Sequence, residues 1–455
     1  MSILIKNALV VNEGKTFEGG VLIEKERISK VFEGESELIA DEVIDAKGHY
    51  LLPGIIDDQV HFRDPGLTHK GDLYTEPKAA VAGGVTSYME MPNTKPGAVN
   101  EEALEAKYTR ASEVSLANYS FYMGTTNDNY AEVAAIDYNR VCGVKIFMGS
   151  STGNMQVDSI KALEKFFCKT RVIIATHCEE DPLIAENLER YKAEYGDDIP
   201  MRFHPEIRSR EACLASSSKA AAMAEKCDTR LHILHISTAE ELKLFRNDIP
   251  HTEKRITAEA CIHHLWFSEE DYEEKGTLIK WNPAVKKKSD RDAIFEAILD
   301  DRIDVIATDH APHTLEEKQN SYTSAPSGGP LIQHSLVAMM EFVKQGKITL
   351  EKMVQKMTHN VADLFDLKER GYIREGYYAD LVLVDPNDAW TVTKENLLYK
   401  CGWSPFEGTT FHSKVKKTFV SGHLVYNEGQ FDESKKGMRL AFDRFSGENP
   451  NCEVE

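Results

Sequence analysis

Gly54-Ile55-Ile56-Asp57-Asp58-Gln59-Val60-His61-Phe62-Arg63-Asp64-Pro65-Gly66 runs from an apolar, β-rich start into a dense polar cluster and stops at Pro-Gly. A strand puts alternate side chains on one face, so Gln59, His61 and Arg63 point the same way. Working outward, the same texture recurs. The apolar runs are Gly54 to Asp57, Val85 to Met89, Asn118 to Tyr122, Gly143 to Phe147, Arg171 to Ala175, Leu231 to Leu234, Arg255 to Ala258 and Asp304 to Ala307. Longer amphipathic stretches lie between them, among them Ser159 to Phe167 and Arg210 to Lys226. Eight such alternations predict an α/β fold, a (β/α)8 TIM barrel with insertions over residues 53–365.

The two ends read differently. In residues 1–52, Val21 to Ile28 is a strand followed by a polar turn, and Gly48 to Leu52 leads into Pro53-Gly54. In residues 366–455, Tyr378 to Asp385 is a strand, and Lys417 to Gly422 with Leu424 to Tyr426 is a hairpin. The ends are expected to build one small β-sandwich domain together, with Ser446 to Glu455 as a loose polar tail.

The chain has 455 residues, 42% apolar and 28% charged, which is enough apolar material for packed cores and excludes disorder as the main state. Its 54 basic and 74 acidic side chains give a net charge of −20, so a nucleic-acid backbone would be repelled over most of the surface. An anionic small substrate needs only a local cluster of cations and stays open. No apolar run is long enough to span a membrane, and the N-terminus lacks a signal-peptide pattern. The eight cysteines contain no CxxC pair and read as reduced thiols of a cytoplasmic protein, not as a disulfide framework or a zinc site.

Polar groups sit just past the ends of the predicted strands, where barrel enzymes carry their chemistry. His61 follows the first strand and Lys145 lies within the fourth. His177 ends the fifth, His235 follows the sixth, and Asp309 to His313 follows the eighth. A lone strand histidine is more often structural, and a lone lysine usually reaches solvent. Five strands offering a metal-compatible group at one end is the informative observation, and such donors suit zinc or a similar divalent ion.

Three motifs carry a resemblance. Asp57 to Gly66 resembles the D-x-H-x-H-x-R-x-P-G segment of the dihydroorotases of the amidohydrolase superfamily. Met91-Pro92-Asn93-Thr94 resembles their M-P-N-T signature, and Ala307 to His313 their A-T-D-H-A-P-H signature. Weaker likenesses are Thr176 to Glu179, Leu234 to Thr238, Asn282-Pro283, Ala325 to Gly328 and Gly376 to Asp385. The resemblance implies one or two zinc ions, with His61 and Asp309 on one and His177 and His235 on the other. Lys145, as an N6-carboxylysine, would bridge them. It implies reversible cyclisation of N-carbamoyl-L-aspartate to dihydroorotate, a step of pyrimidine biosynthesis, with Asp309 moving the proton. Arg63, Asn93 and His313 would hold the substrate carboxylate, and Asn282 with the 325–328 backbone the ring amides. The sequence departs from the pattern at Gln59, where the first histidine of H-x-H is missing, so one ion should be held weakly. Two alternatives stay open. One is an allantoinase or dihydropyrimidinase, although the Arg63 and Asn93 positions favour a carboxylate-bearing substrate. The other is a non-catalytic scaffold subunit, for which Gln59 is the only sign.

The remaining histidines read as structural. His232 is expected to face away from His235, His263 and His264 to follow the seventh strand, and His310 to pack behind Asp309. His204 with Arg202, Arg208 and Arg210 reads as a solvated or internally paired basic run, with a lid as the lesser alternative. Homo-oligomers are common in such chains and the β-rich ends are the candidate contact surface, but no interface signal stands out.

Overall fold

The computed structural model describes residues 2–149 and 155–444; the expected polar tail, 446–455, lies outside them. The fold is mixed α/β. Each of the eight apolar runs becomes a strand: Ile55–Val60, Val85–Glu90, Asn118–Phe121 continuing as Met123–Gly124, Val144–Phe147, Ile174–His177, Leu231–Ile233, Ile256–Cys261 and Val305–Ala307. Neighbouring strands pair in parallel and follow chain order. The third strand hands the ladder on at Tyr122. Tyr122 N–H donates to Glu90 O at 3.0 Å on one side, and Met123 N–H to Gly143 O at 3.0 Å on the other. His61 N–H donates to His310 O at 2.7 Å, which brings the chain after the eighth strand against the first. Parallel strands covered on both faces need apolar side chains at successive positions, which is why these runs are continuous and do not alternate.

The intervening helices start where the sequence supplies caps. Ser159 accepts from Ala162 N–H ahead of Ile160–Lys169, and Ser209 accepts from Ala212 N–H ahead of Arg210–Cys227. Asp228, at φ 52°, ends the second of these in the left-handed region. The two helices pack side by side and bring their last turns together, where Cys168 and Cys227 form a disulfide. This corrects the reading of every cysteine as reduced. The two are 59 residues apart, so only packing of the helices reveals the pair.

Residues from both ends form one sheet of nine strands. Tyr50–Pro53 pairs antiparallel with Leu381–Asp385, which joins the N-terminal strands to the C-terminal ones. Separate sandwich sheets are expected from the sequence; here the strands share a single branched ladder. The branch is at Ser2–Asn12, whose first half pairs with Glu42–Asp45 and whose second half pairs with Tyr50–Pro53. An irregularity between Ile5 and Ala8 in its pairing with Lys15–Glu24 redirects the strand between those partners. No helix among the described residues is long and apolar enough to cross a membrane.

Candidate metal and substrate site

The polar ends of the parallel strands converge on one cavity of roughly 310 Å³, a size suited to a small substrate. Gln59, His61, Arg63, Asn93, Lys145, His177, His235, Asn282, Asp309 and His313 all line it. Every side chain singled out from the sequence is therefore brought to one place.

Arg63, His235 and Asp309 have φ of 72°, 40° and 48°. All three are non-glycine residues in the left-handed region, each at the end of a strand. Such conformations cost about 1–3 kcal/mol apiece and persist where surrounding structure enforces them, commonly at functional sites.

His61 Nε2 lies 3.1 Å from Asp309 Oδ1, and its Nδ1 lies 2.8 Å from Asn93 Oδ1. Gln59 Nε2 donates to the same Asp309 Oδ1 at 3.2 Å, while its Oε1 is 3.7 Å from Cys261 Sγ. The amide at position 59 thus holds Asp309 by a hydrogen bond. On the other side of the cavity, His177 Nδ1 lies 3.1 Å from His235 Nε2 and His177 Nε2 lies 3.0 Å from Glu179 Oε2. Lys145 is buried and its Nζ makes no hydrogen bond. Burial lowers its pKa to about 7, against the opposing pull of Asp309 and Glu259. A buried, unpartnered amine beside three histidines and a carboxylate is a donor set that fits a divalent ion and a lysine-derived ligand.

Arg63 Nε donates to Pro312 O at 3.1 Å, and its Nη2 lies 3.1 Å from His313 Nε2. Lys70 Nζ donates to His313 Nδ1 at 2.9 Å, so Nε2 carries the ring proton and reaches Ser327 O at 3.0 Å. Burial, and then the Arg63 charge, keeps the His313 pKa well below the usual histidine range. The His313 N–H is taken by Ser327 O, so the anion-receiving group at this corner is the charged Arg63 guanidinium packed against the ring. The loop 325–328 is braced from behind. Lys318 Nζ donates to Pro326 O and Gly328 O at 3.0 and 2.7 Å, and Lys280 Nζ to Ala325 O at 2.6 Å.

Some participants escape the sequence reading. Arg208 lines the cavity and pairs with buried Glu179, so it is the internally paired alternative of that basic run and not a solvated one; its place at the cavity is what the sequence reading lacked. Burial alone would raise the Glu179 pKa, but Arg208 and His177 hold it at about 2. Glu179 had a faint signal, two positions past His177. Arg208 had none, because a helix segment far along the chain delivers it. Trp281 also lines the cavity and stacks on His263 at 4.4 Å between centroids. His310 Nε2 meets Glu76 Oε2 at 2.8 Å, and His264 Nε2 lies 3.2 Å from Pro283 O. His232 lies deeper, against Asp58.

The model of the amidohydrolase family matches residues 50–425. A dihydroorotase of Halobacterium salinarum is 33% identical over 414 residues, spanning 90% of this chain and 93% of that one. A dihydroorotase of Pyrococcus abyssi is 33% identical over 94% of this chain and 96% of its own. For a dihydroorotase of Bacillus pumilus the figures are 34%, 94% and 99%. Among solved structures, L-hydantoinase (dihydropyrimidinase) from Arthrobacter aurescens superposes with a TM-score of 0.91 at 24% identity, covering 96% of this chain and 99% of its own. Dihydropyrimidinase from Brevibacillus agri gives 0.88 at 26% identity, covering 98% and 100%.

Proposed function

The chain belongs to the amidohydrolase family, and from that premise we propose that it is a metal-dependent dihydroorotase that interconverts N-carbamoyl-L-aspartate and dihydroorotate. The observation that carries this reading is the placement of the Arg63 guanidinium, packed against His313, in the same cavity as His61, Lys145, His177, His235 and Asp309. A cyclic amide bearing a carboxylate matches that combination; hydantoin and dihydropyrimidine rings carry no carboxylate for Arg63 to hold.

In this reading residues 53–365 form the (β/α)8 barrel, and the described parts of residues 1–52 and 366–444 form one composite β domain built on the nine-stranded sheet. His177 and His235 would hold one zinc ion and His61 with Asp309 a second, weaker one, and Lys145, once carboxylated, would serve as a further ligand. The Lys145 pKa near 7 leaves a neutral amine available at physiological pH, and only the neutral amine takes up CO2. The bound ions supply Lewis acidity and lower the pKa of water. Everything else falls to the side chains. Arg63, Asn93 and His313 fix the substrate carboxylate, and Asn282 with the 325–328 backbone orients the ring amides. Asp309 moves the proton between water and the ring nitrogen. Gln59 and His61 both engage Asp309 Oδ1, which leaves Oδ2 for the transfer.

Turnover of dihydroorotate, allantoin and dihydrouracil by the purified protein tests the reading. Activity on dihydroorotate alone is expected. Activity confined to the other two would transfer the chain to the hydantoinase-like group, and inactivity on all three after zinc is restored would support the scaffold alternative.

A further inference from the structure

Beneath the cavity, Asp58, His232 and Glu259 bring three potential ligand atoms within 4.8 Å of one another. All three side chains are fully buried. Both Asp58 carboxylate oxygens, Glu259 Oε2 and His232 Nε2 have no hydrogen-bond partner. Glu259 Oε1 accepts from His235 N–H and Cys261 Sγ, but its Oε2 and the whole Asp58 carboxylate are buried without a donor, which is unfavourable and calls for a positive species between them.

The protonation of His232 follows from its neighbours. The Thr257 hydroxyl has one proton and donates it to Leu231 O at 3.2 Å. It must then accept from His232 Nδ1–H, which lies 2.9 Å away. In the neutral ring this leaves the Nε2 lone pair aimed at Asp58 Oδ2, 3.2 Å off. Two acceptors facing each other in a dry interior need a cation between them. Lys145 interacts electrostatically with Glu259, yet its Nζ makes no hydrogen bond there.

We propose that Asp58, His232 and Glu259 hold a structural divalent ion of the zinc class, distinct from the ions at the cavity mouth. The charge balances, since two carboxylates and a neutral imidazole meet a dication. The donor set of one nitrogen and carboxylate oxygens suits a borderline ion; magnesium favours oxygen donors and retained water. The second Asp58 oxygen supplies a fourth ligand atom without any water. Thr257 sets the imidazole tautomer, as an outer partner of a ligating histidine does. The ion ties the first, sixth and seventh parallel strands together. Through Glu259 Oε1, which accepts from His235 N–H at 2.8 Å, it steadies the backbone that presents His235 to the cavity. The proposal does not depend on the mouth residues binding metal.

The test is an anomalous-difference map from crystals of the full chain grown with zinc, collected on both sides of the zinc edge. A peak about 2 Å from His232 Nε2 is expected. Elemental analysis should show one zinc fewer per chain in Asp58→Asn than in the unaltered protein, and the same loss in His232→Gln should either variant fold poorly. His177→Ala, which acts only at the mouth, should leave the deep peak in place. The absence of a deep peak, with His232 and Asp58 in direct contact, would overturn the proposal in favour of an imidazolium between two carboxylates.

Discussion

Replacing Arg63 by lysine probes substrate recognition at a single side chain. Arg63 is 5% exposed, so its contacts are made out of water. Burial lowers its pKa to about 10, with Asp309 and Glu90 pulling the other way, and it remains charged at neutral pH. Its Nε is already committed to Pro312 O, which leaves the outer nitrogens for the substrate. Lysine keeps the charge but has one nitrogen, which cannot hold Pro312 O and both oxygens of a carboxylate together. Losing one charge-assisted hydrogen bond costs about 1.5–3 kcal/mol, which corresponds to a KM for N-carbamoyl-aspartate higher by about 10- to 150-fold. The lost bond to Pro312 O is worth only about 1 kcal/mol of stability, so the urea midpoint should move little. The decisive assay compares two ligands. Binding of dihydroorotate should weaken by the stated factor, whereas competition by dihydrouracil, which has no carboxylate, should be unchanged. Equal weakening of both, or of neither, would refute the assignment of Arg63 as the carboxylate clamp.

Four further outcomes are expected. Asp309→Asn should lower kcat by about 10²- to 10⁴-fold while the ion on His177 and His235 stays, as elemental analysis would record; near-native turnover would remove Asp309 from proton transfer. Burial raises the Asp57 pKa from 3.8 to about 7, despite the Thr308 hydroxyl donating at 2.6 Å. Between those values the folded chain binds a proton that the unfolded chain has lost, so the contribution is full in acid and fades by about 4 kcal/mol as pH rises through 7. Asp57→Asn should flatten the difference between denaturation midpoints at pH 5 and pH 8. Lys318→Met would strip the buried ammonium from Lys280 O, Pro326 O and Gly328 O, destabilise the fold by about 3 kcal/mol and raise KM through the slackened loop, which paired denaturation and kinetic measurements would reveal. Gln59→His should raise zinc content per chain by supplying a better ligand than an amide, and unchanged content would mean that position 59 does not limit the second ion.

The sequence alone was enough to locate the eight parallel strands, because strands covered on both faces must be continuously apolar and then turn polar at the end that carries chemistry. It also nominated His61, Lys145, His177, His235 and Asp309 from their places along and just past the strands, a local property of the chain, while the substrate roles of Asn93, Asn282 and His313 came from the family resemblance. Three features needed the tertiary structure. Arg208 joins the cavity only because a helix returns to it. Cys168 and Cys227 meet only because two helices end together. Asp58, His232 and Glu259 form a cluster only because the fold brings the first strand near the paired sixth and seventh strands. In the linear sequence His232 is an ordinary strand histidine facing away from His235. Curling the sheet turns that inward face toward two carboxylates, and proximity between distant segments is set by packing, not by any pattern readable along one of them.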